Sequence, residues 1–248
     1  LAGRDLYASF VRGDIILTDA TTAEMVKLME NTYRDVNIAV ANEFSRLAHR
    51  FGVDVWEAIQ LANRHPRVEV LKPGTGVGGH CISVDPWFLV EAAPDLANLI
   101  RTARQVNDEQ PQVVVDLLQT AFGDLNGVRL AVLGLAYKPD VDDLRESPAV
   151  DVASRFLEAG AQVVAYEPYK LDADFPGIEM APTLEMALKD ADGLVLLVAH
   201  SPLRSLVPEQ IATKTKARIV LDAVNGWDPA AWNAAGFRLY RLGVGNVN

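Results

Sequence analysis

The chain has 248 residues, half of them hydrophobic and 23% charged, with a formal net charge of -10; that composition supports a packed core of one large or two ordinary domains and excludes disulfide miniproteins and long disorder. The acidic balance disfavours general affinity for nucleic-acid phosphates or anionic membranes. A single cysteine cannot form an internal disulfide, the apolar runs fall short of the roughly 20 residues that span a bilayer, and the residues present hold no basic-then-apolar leader, so a cytoplasmic protein with no nucleic-acid or membrane partner is expected.

The chain opens on Leu1, and residues 1–20 read as a remnant or linker of a preceding unit. From Thr21 to Gly52, Val26, Met29, Tyr33, Val36, Val40, Phe44 and Leu47 recur at spacings of three and four, which predicts a long helix with one buried apolar face. Thr21 or Thr22 is placed to cap it and Gly52 to end it. A second helix follows over about 55–63. Residues 64–86 contain four glycines and three prolines without sustained periodicity, hence an irregular loop. Helical spacing resumes beyond Trp87, with a break at Pro94 and a proline at 111, and runs to about Phe122.

After Gly127 short β-branched runs alternate with helical segments of about ten residues. That pattern predicts an α/β unit, a doubly wound, mostly parallel sheet of five strands. Ser147-Pro148 is a cap and first-turn pair, and Gly160 and Gly236 stand where helices end.

Several residues can carry chemistry. Cys81 closes the segment Gly74-Thr75-Gly76-Val77-Gly78-Gly79-His80; a lone cysteine is as often an inert filler, but glycines at this density leave little side chain to bury a thiol and let backbone approach a ligand. Cys81 is therefore a nucleophile candidate. Asp85 stands four residues on, before a proline that biases it away from helix, and is either a turn cap or a site carboxylate. Lys27, Asn31 and Arg34 share one helix face, which taken alone reads as solvated surface. Asn63-Arg64-His65-Pro66-Arg67 clusters cations in an acidic chain and could grip a phosphate or carboxylate. The first strand of the α/β half runs into Gly134, Tyr137 and Lys138 without the G-x-G-x-x-G needed to cradle a pyrophosphate, so a complete dinucleotide site there is not expected. Lys138 and Arg145 could supply point-charge or forked contacts instead. No metal-ligand spacing is evident.

Four blocks in collinear order, TAEMVKLMENTYRDVNIAVANE, NRHPRV, PGTGVGGHCISVDPWF and GLAYKPDVDDLRESPA, resemble the UDP-glucose/GDP-mannose dehydrogenase family. The resemblance implies a central helical dimerisation domain over 21–125 and a UDP-sugar-binding α/β domain over 126–248, with an amino-terminal NAD-binding domain expected beyond the residues present. It implies an NAD-dependent four-electron oxidation of a UDP-sugar C6 alcohol to the acid. Cys81 would form a thiohemiacetal and then a thioester, Lys27 and Asn31 would stabilise developing charge and move a proton, and Asp85 would orient the hydrolytic water or act as its base. Arg34, His65, Arg67, Gly78, Tyr137 and Lys138 match substrate contacts, Arg67 across a homodimer, and Arg145 matches a residue that touches NAD. Val84 stands where glucose-specific members usually have lysine. UDP-N-acetyl-D-mannosamine is therefore the expected substrate, with UDP-N-acetylglucosamine, UDP-glucose, or a non-catalytic binding and dimerisation role for this chain alone as alternatives. Val224 and Asn225 stand where a basic residue is common, so a uridine or phosphate contact is either missing or supplied from elsewhere.

Overall fold

A computed structural model describes residues 2–245. A short exposed helix α1 (Ala2–Tyr7) precedes the long α2 (Ala20–Phe51). The cap of α2 is Asp19, not Thr21 or Thr22. Its carboxylate accepts the Thr22 N–H at 3.0 Å and the Thr22 hydroxyl at 2.7 Å. A carboxylate can accept both bonds and also opposes the positive helix end, which a threonine hydroxyl cannot match. Gly52 ends the helix in the left-handed conformation, as expected.

The inward face of α2 is not the apolar stripe. Asn31, Thr32, Asp35, Ala39, Asn42, Ser45 and Ala48 are buried, whereas Val26, Met29, Tyr33, Val40, Phe44 and Leu47 are exposed and Val36 is half-buried. The reason is a polar seam between α2 and α5 (Asn98–Phe122). The Arg104 guanidinium donates to Asp35 at 2.6 Å, the Asn107 amide donates to Asp35 at 2.8 Å, and the Asn42 amide donates to Asn107 at 2.9 Å. Periodicity locates an apolar face but cannot tell what it packs on.

Between them lie α3 (Val55–Ala62) and α4 (Asp85–Ala92). Helix α4 starts earlier than the residue before a proline should allow: Asp85 is its first residue. Its N–H donates to the Cys81 carbonyl at 2.7 Å, and Pro86 falls in the first turn, where its missing N–H costs nothing.

The second half is one sheet: β1 (Arg129–Leu133), α6 (Pro148–Glu158), β2 (Gln162–Tyr166), β3 (Glu179–Met180), α7 (Leu184–Leu188), β4 (Gly193–Leu196), α8 (Ser201–Arg204), α9 (Pro208–Lys214), β5 (Ile219–Asp222), α10 (Pro229–Ala234) and β6 (Arg238–Arg241). All strand pairs are parallel, in the order β3-β2-β1-β4-β5-β6. There are six strands rather than five; the additional β3 has two residues, too short to show a period of two. In β1, Leu130 and Val132 enter one core with Phe156 and Val163, while Ala131 and Leu133 enter the other with Leu194 and Trp232. That alternation is how a sheet covered on both faces buries every strand residue.

Two features tie the halves together. The second half of α5 packs Val114, Val115 and Leu118 into the sheet core. At the chain's far end, the Trp56 indole donates to the Leu242 carbonyl at 2.9 Å, Arg241 pairs with Asp54 at 2.6 Å, and the Val55 N–H donates to Gly243 at 3.0 Å. Among the described residues no helix is long and apolar enough to cross a membrane.

Candidate functional site

The glycine loop lies in the cleft between α5 and the start of α6. Pro111 lacks an N–H, which leaves the Asn107 carbonyl of α5 without its intrahelical partner, and Gly76 packs against both: a Cβ there would stand 3.1 Å from that oxygen. At Gly78 a Cβ would meet the Glu146 carbonyl at 2.4 Å and Pro148 at 2.6 Å. Gly74 is anchored from the other side, its N–H donating to Asn42 at 3.0 Å.

At the loop's end, two of the expected catalytic side chains, Asn31 and Asp85, meet, and Cys81 is tied to them through its backbone carbonyl. Cys81 is half-buried, its sulfur 3.6 Å from the His80 ring. Asn31 of α2, 8% exposed, donates to the Asp85 carboxylate at 2.5 Å, and the Asp85 N–H holds the Cys81 carbonyl. Lys27 stands one turn before Asn31 and is exposed, and among the described residues its amine makes a loose 3.9 Å contact to Glu30. Its amine is therefore free to turn toward a ligand. The thiol, the carboxylate and the carboxamide are held by the loop, by α4 and by α2 respectively.

The segment after β1 joins this group. The Tyr137 ring lies against Gly79, where a Cβ would stand 3.1 Å away, and the Lys138 amine sits 5.3 Å from that ring's centroid. Arg145 pairs with Asp143 at 2.6 Å. The guanidinium's hydrogen bonds hold the half-buried Asp143 carboxyl down to about 2, and the carboxylate in turn raises Arg145.

A cavity of about 300 Å³ opens at the carboxyl ends of β1, β4 and β5, against residues 72–76 of the loop. In open α/β sheets ligands bind there, where strand order reverses. Lys72, Lys138 and Arg204 line it, with no carboxylate among the described lining residues, in a chain of net charge -10. Arg204 was not singled out by the sequence; it supplies positive charge beside Val224 and Asn225, the positions noted for lacking it. Cys81 is not on this wall but follows the same loop, and Tyr137 belongs to both.

Other expected contacts lie apart. His65 and Arg67 line a separate groove with Tyr33, Asn37 and Val40, on the exposed face of α2. Arg34 is exposed, without a hydrogen-bond partner among the described residues. Val84 is half outside: it lines a further cavity of about 520 Å³ with Trp87, Asp108 and Asp151, not the strand-end one. No group of metal-ligating side chains occurs among the described residues.

Sequence reasoning missed the buried polar residues behind the cavity. Glu167, at the end of β2, and His200, after β4, are fully buried and joined at 3.0 Å. Burial alone would raise the Glu167 carboxyl, but hydrogen bonds from His200, Leu135 and Tyr169 outweigh it and lower the value. Asp222, at the end of β5, is also buried, which pushes its carboxyl up; the N–H groups of Val224 and Trp227 donate to it at 3.0 and 2.9 Å. The signal available was a polar residue closing an apolar strand run, in AYEP, LLVAH and VLDAV.

Residues 21–109 match the UDP-glucose/GDP-mannose dehydrogenase family, central domain, and residues 131–229 match its UDP binding domain. A UDP-N-acetyl-D-mannosamine dehydrogenase of Methanocaldococcus jannaschii is 49% identical over 98% of this chain and 56% of its own length. An NDP-N-acetyl-D-galactosaminuronic acid dehydrogenase of Ralstonia nicotianae is 48% identical over 91% of this chain and 53% of its own. The solved structure of a UDP-D-ManNAc dehydrogenase from Pyrococcus horikoshii superposes with a TM-score of 0.88 at 42% identity, covering 99% of this chain and 57% of that one. The chain thus spans about half the length of the curated relatives it matches.

Proposed function

The chain belongs to the UDP-glucose/GDP-mannose dehydrogenase family, and on that premise we propose that it carries the nucleophile and the UDP-sugar-binding half of a 6-dehydrogenase acting on UDP-N-acetyl-D-mannosamine. The observation that carries the reading is a cation-lined, carboxylate-free cavity at the strand ends, joined by one glycine loop to the Cys81, Asn31 and Asp85 cluster. A nucleoside diphosphate needs positive charge, and Lys72, Lys138 and Arg204 supply it.

NAD is the hydride acceptor that this family implies. The α/β sheet here does not suit it: the Leu135 and Ala136 N–H groups, which in a dinucleotide site would face a pyrophosphate, donate to Glu167 at 2.7 and 3.0 Å. Arg145 alone does not make a site. As the family resemblance implies, we propose that NAD is held by residues outside this chain, in an amino-terminal domain of the parent protein.

What these residues do can be stated directly. The Cys81 thiolate adds to the carbonyl carbon of a C6 aldehyde, giving a thiohemiacetal whose oxygen takes a proton. Lys27 and Asn31 donate hydrogen bonds to that oxygen as charge develops. The thiohemiacetal gives up two electrons to the parent's hydride acceptor and becomes a thioester; there the same sulfur is an adequate leaving group, and Asp85, oriented by Asn31, draws a proton from the water that cleaves the thioester. Substitution of valine for the lysine common before this aspartate in glucose enzymes favours an N-acetylhexosamine, as do the names of both similar relatives. A homodimer through the exposed stripe of α2 would cover Tyr33 and Val40 and bring Arg67 to a neighbouring site, and a cytoplasmic setting suits the free thiol.

A second reading, that this chain by itself binds UDP-sugar without turnover, is favoured by the occupied amides after β1. One experiment addresses both. Iodoacetamide should alkylate Cys81, UDP-N-acetyl-D-mannosamine should slow that labelling, and NADH should form only with a longer parent chain. An unlabelled Cys81 in the folded protein refutes the nucleophile, and NADH production by these 248 residues alone refutes the binding-only reading.

A further inference from the structure

We propose that Glu167 is a positioning residue for Lys138: its buried carboxylate holds the turn after β1 in the shape that presents the lysine to the cavity. This rests on the reading of that cavity as a diphosphate site. An acid at the end of β2 occupies the place where a dinucleotide site uses one for a ribose hydroxyl. Here it is turned inward and takes the amides that a phosphate would take.

The geometry is a closed chain of hydrogen bonds. Glu167, 0% exposed, accepts the N–H groups of Leu135 at 2.7 Å, Ala136 at 3.0 Å and Tyr169 at 3.1 Å. It also meets His200 Nε2 at 3.0 Å. The far nitrogen of that ring, Nδ1, lies 2.9 Å from the Asp140 N–H. A backbone N–H can only donate, so Nδ1 carries no proton, the neutral ring holds its proton on Nε2, and that proton points at Glu167. Asp140 has a φ of 60° and is pinned in turn: its carboxylate accepts the Ser201 N–H and hydroxyl, each at 2.7 Å, and the Tyr169 hydroxyl at 3.1 Å.

The turn is thus gripped at residues 135, 136 and 140 by one buried anion and its histidine. Tyr137, Lys138 and Pro139 span the stretch between those grips, with the Tyr137 N–H also donating to the Asp143 carbonyl at 3.1 Å, and these three line the cavity. With the amides consumed, phosphate recognition passes to a side-chain cation, whose placement then depends on the turn. Glutamine at 167 preserves size but offers its neighbours an amide. If that amide donates to His200 Nε2, the ring proton must move to Nδ1, where it faces the Asp140 N–H, two donors opposed. One grip must open.

The test is a double-mutant cycle on the 248-residue chain, read by UDP calorimetry and amide hydrogen exchange. Glu167→Gln should weaken UDP binding about tenfold or more, the range seen when a buried partner that orients a ligating group is removed. It should also speed exchange at 135, 136 and 140, with the rest of the sheet unchanged. In a Lys138→Ala background the same change should cost less than about twofold more, because the two act through one group. A residue that merely stabilises the fold would give effects that multiply. Multiplicative effects, or unchanged UDP affinity in folded Glu167→Gln, overturn the proposal. Lys138→Ala binding UDP as tightly as the parent refutes the reading of the cavity itself, a separate result. Should Glu167→Gln not fold, Asp140→Gly keeps the positive φ and removes the outer grip; it should show the same non-additivity with Lys138→Ala, and additivity overturns the proposal. In the unaltered protein, nitrogen NMR should find His200 protonated at Nε2; a proton at Nδ1 also overturns it.

Discussion

Gly78→Ala tests whether the glycine loop is held as tightly as its packing implies. The added Cβ would stand 2.4 Å from the Glu146 carbonyl, 2.6 Å from Pro148 and 3.1 Å from the Tyr137 Cβ. The first is backbone and the second a ring fixed in the opening turn of α6, so neither can rotate away. Restoring ordinary contact requires the loop to move by about 1 Å. Overpacking of this kind costs about 1–3 kcal/mol, which in a protein of this size lowers Tm by about 2–4 °C per kcal/mol, or roughly 2–12 °C in all. Functionally the movement is transmitted to Cys81, three residues on, where misplacement on the order of 1 Å can cost about a hundredfold in rate. Gly74→Ala is the control, because nothing lies within 4 Å of a Cβ there. Scanning calorimetry and the rate of Cys81 alkylation, with and without UDP-sugar, read both effects. Equal melting temperatures for the two variants, together with unaltered ligand protection of Cys81, would refute the claim that close packing places the thiol.

Other outcomes follow from the same geometry. Arg104→Leu leaves Asp35 buried with only Asn107 as partner, a loss of about 3–5 kcal/mol visible in denaturant unfolding; because burial already pushes the Asp35 carboxyl up, the double variant Arg104→Leu/Asp35→Leu should recover part of that loss, and no recovery would contradict the ion-pair account. Asp143 should titrate at about 2 and return to the ordinary carboxylate range in Arg145→Gln, followed by carbonyl NMR. Since its folded value is depressed, the pair's contribution is present above the ordinary aspartate value and is lost as pH falls through about 2; a wild-type midpoint near 3.9 would contradict the pairing. Tyr33→Asp/Phe44→Asp alters two residues, 74% and 44% exposed on the apolar stripe of α2, and should convert a dimer to a monomer in sedimentation without loss of helix. Unchanged mass would refute the stripe as the interface.

Much of this molecule is legible in its residues because the signals are local. The parallel sheet follows from β-branched runs spaced by short helices, the loop from its glycines and prolines, and the Ser147-Pro148 start of α6 from capping chemistry. The nucleophile candidate is legible because Cys81 stands in a segment with little side-chain cover. What the sequence alone did not determine depends on the neighbour each face meets. The apolar stripe of α2 points outward because Asp35 and Asn42 meet Arg104 and Asn107, partners 65 to 72 residues away. The capping Asp19 outcompetes two threonines through a second bond. The sixth strand is too short to carry a period. Glu167 and His200, 33 residues apart, look like ordinary strand-end polar residues until the fold closes around them. Burial in a low-dielectric core then makes every one of their hydrogen bonds obligatory, and only tertiary structure decides that.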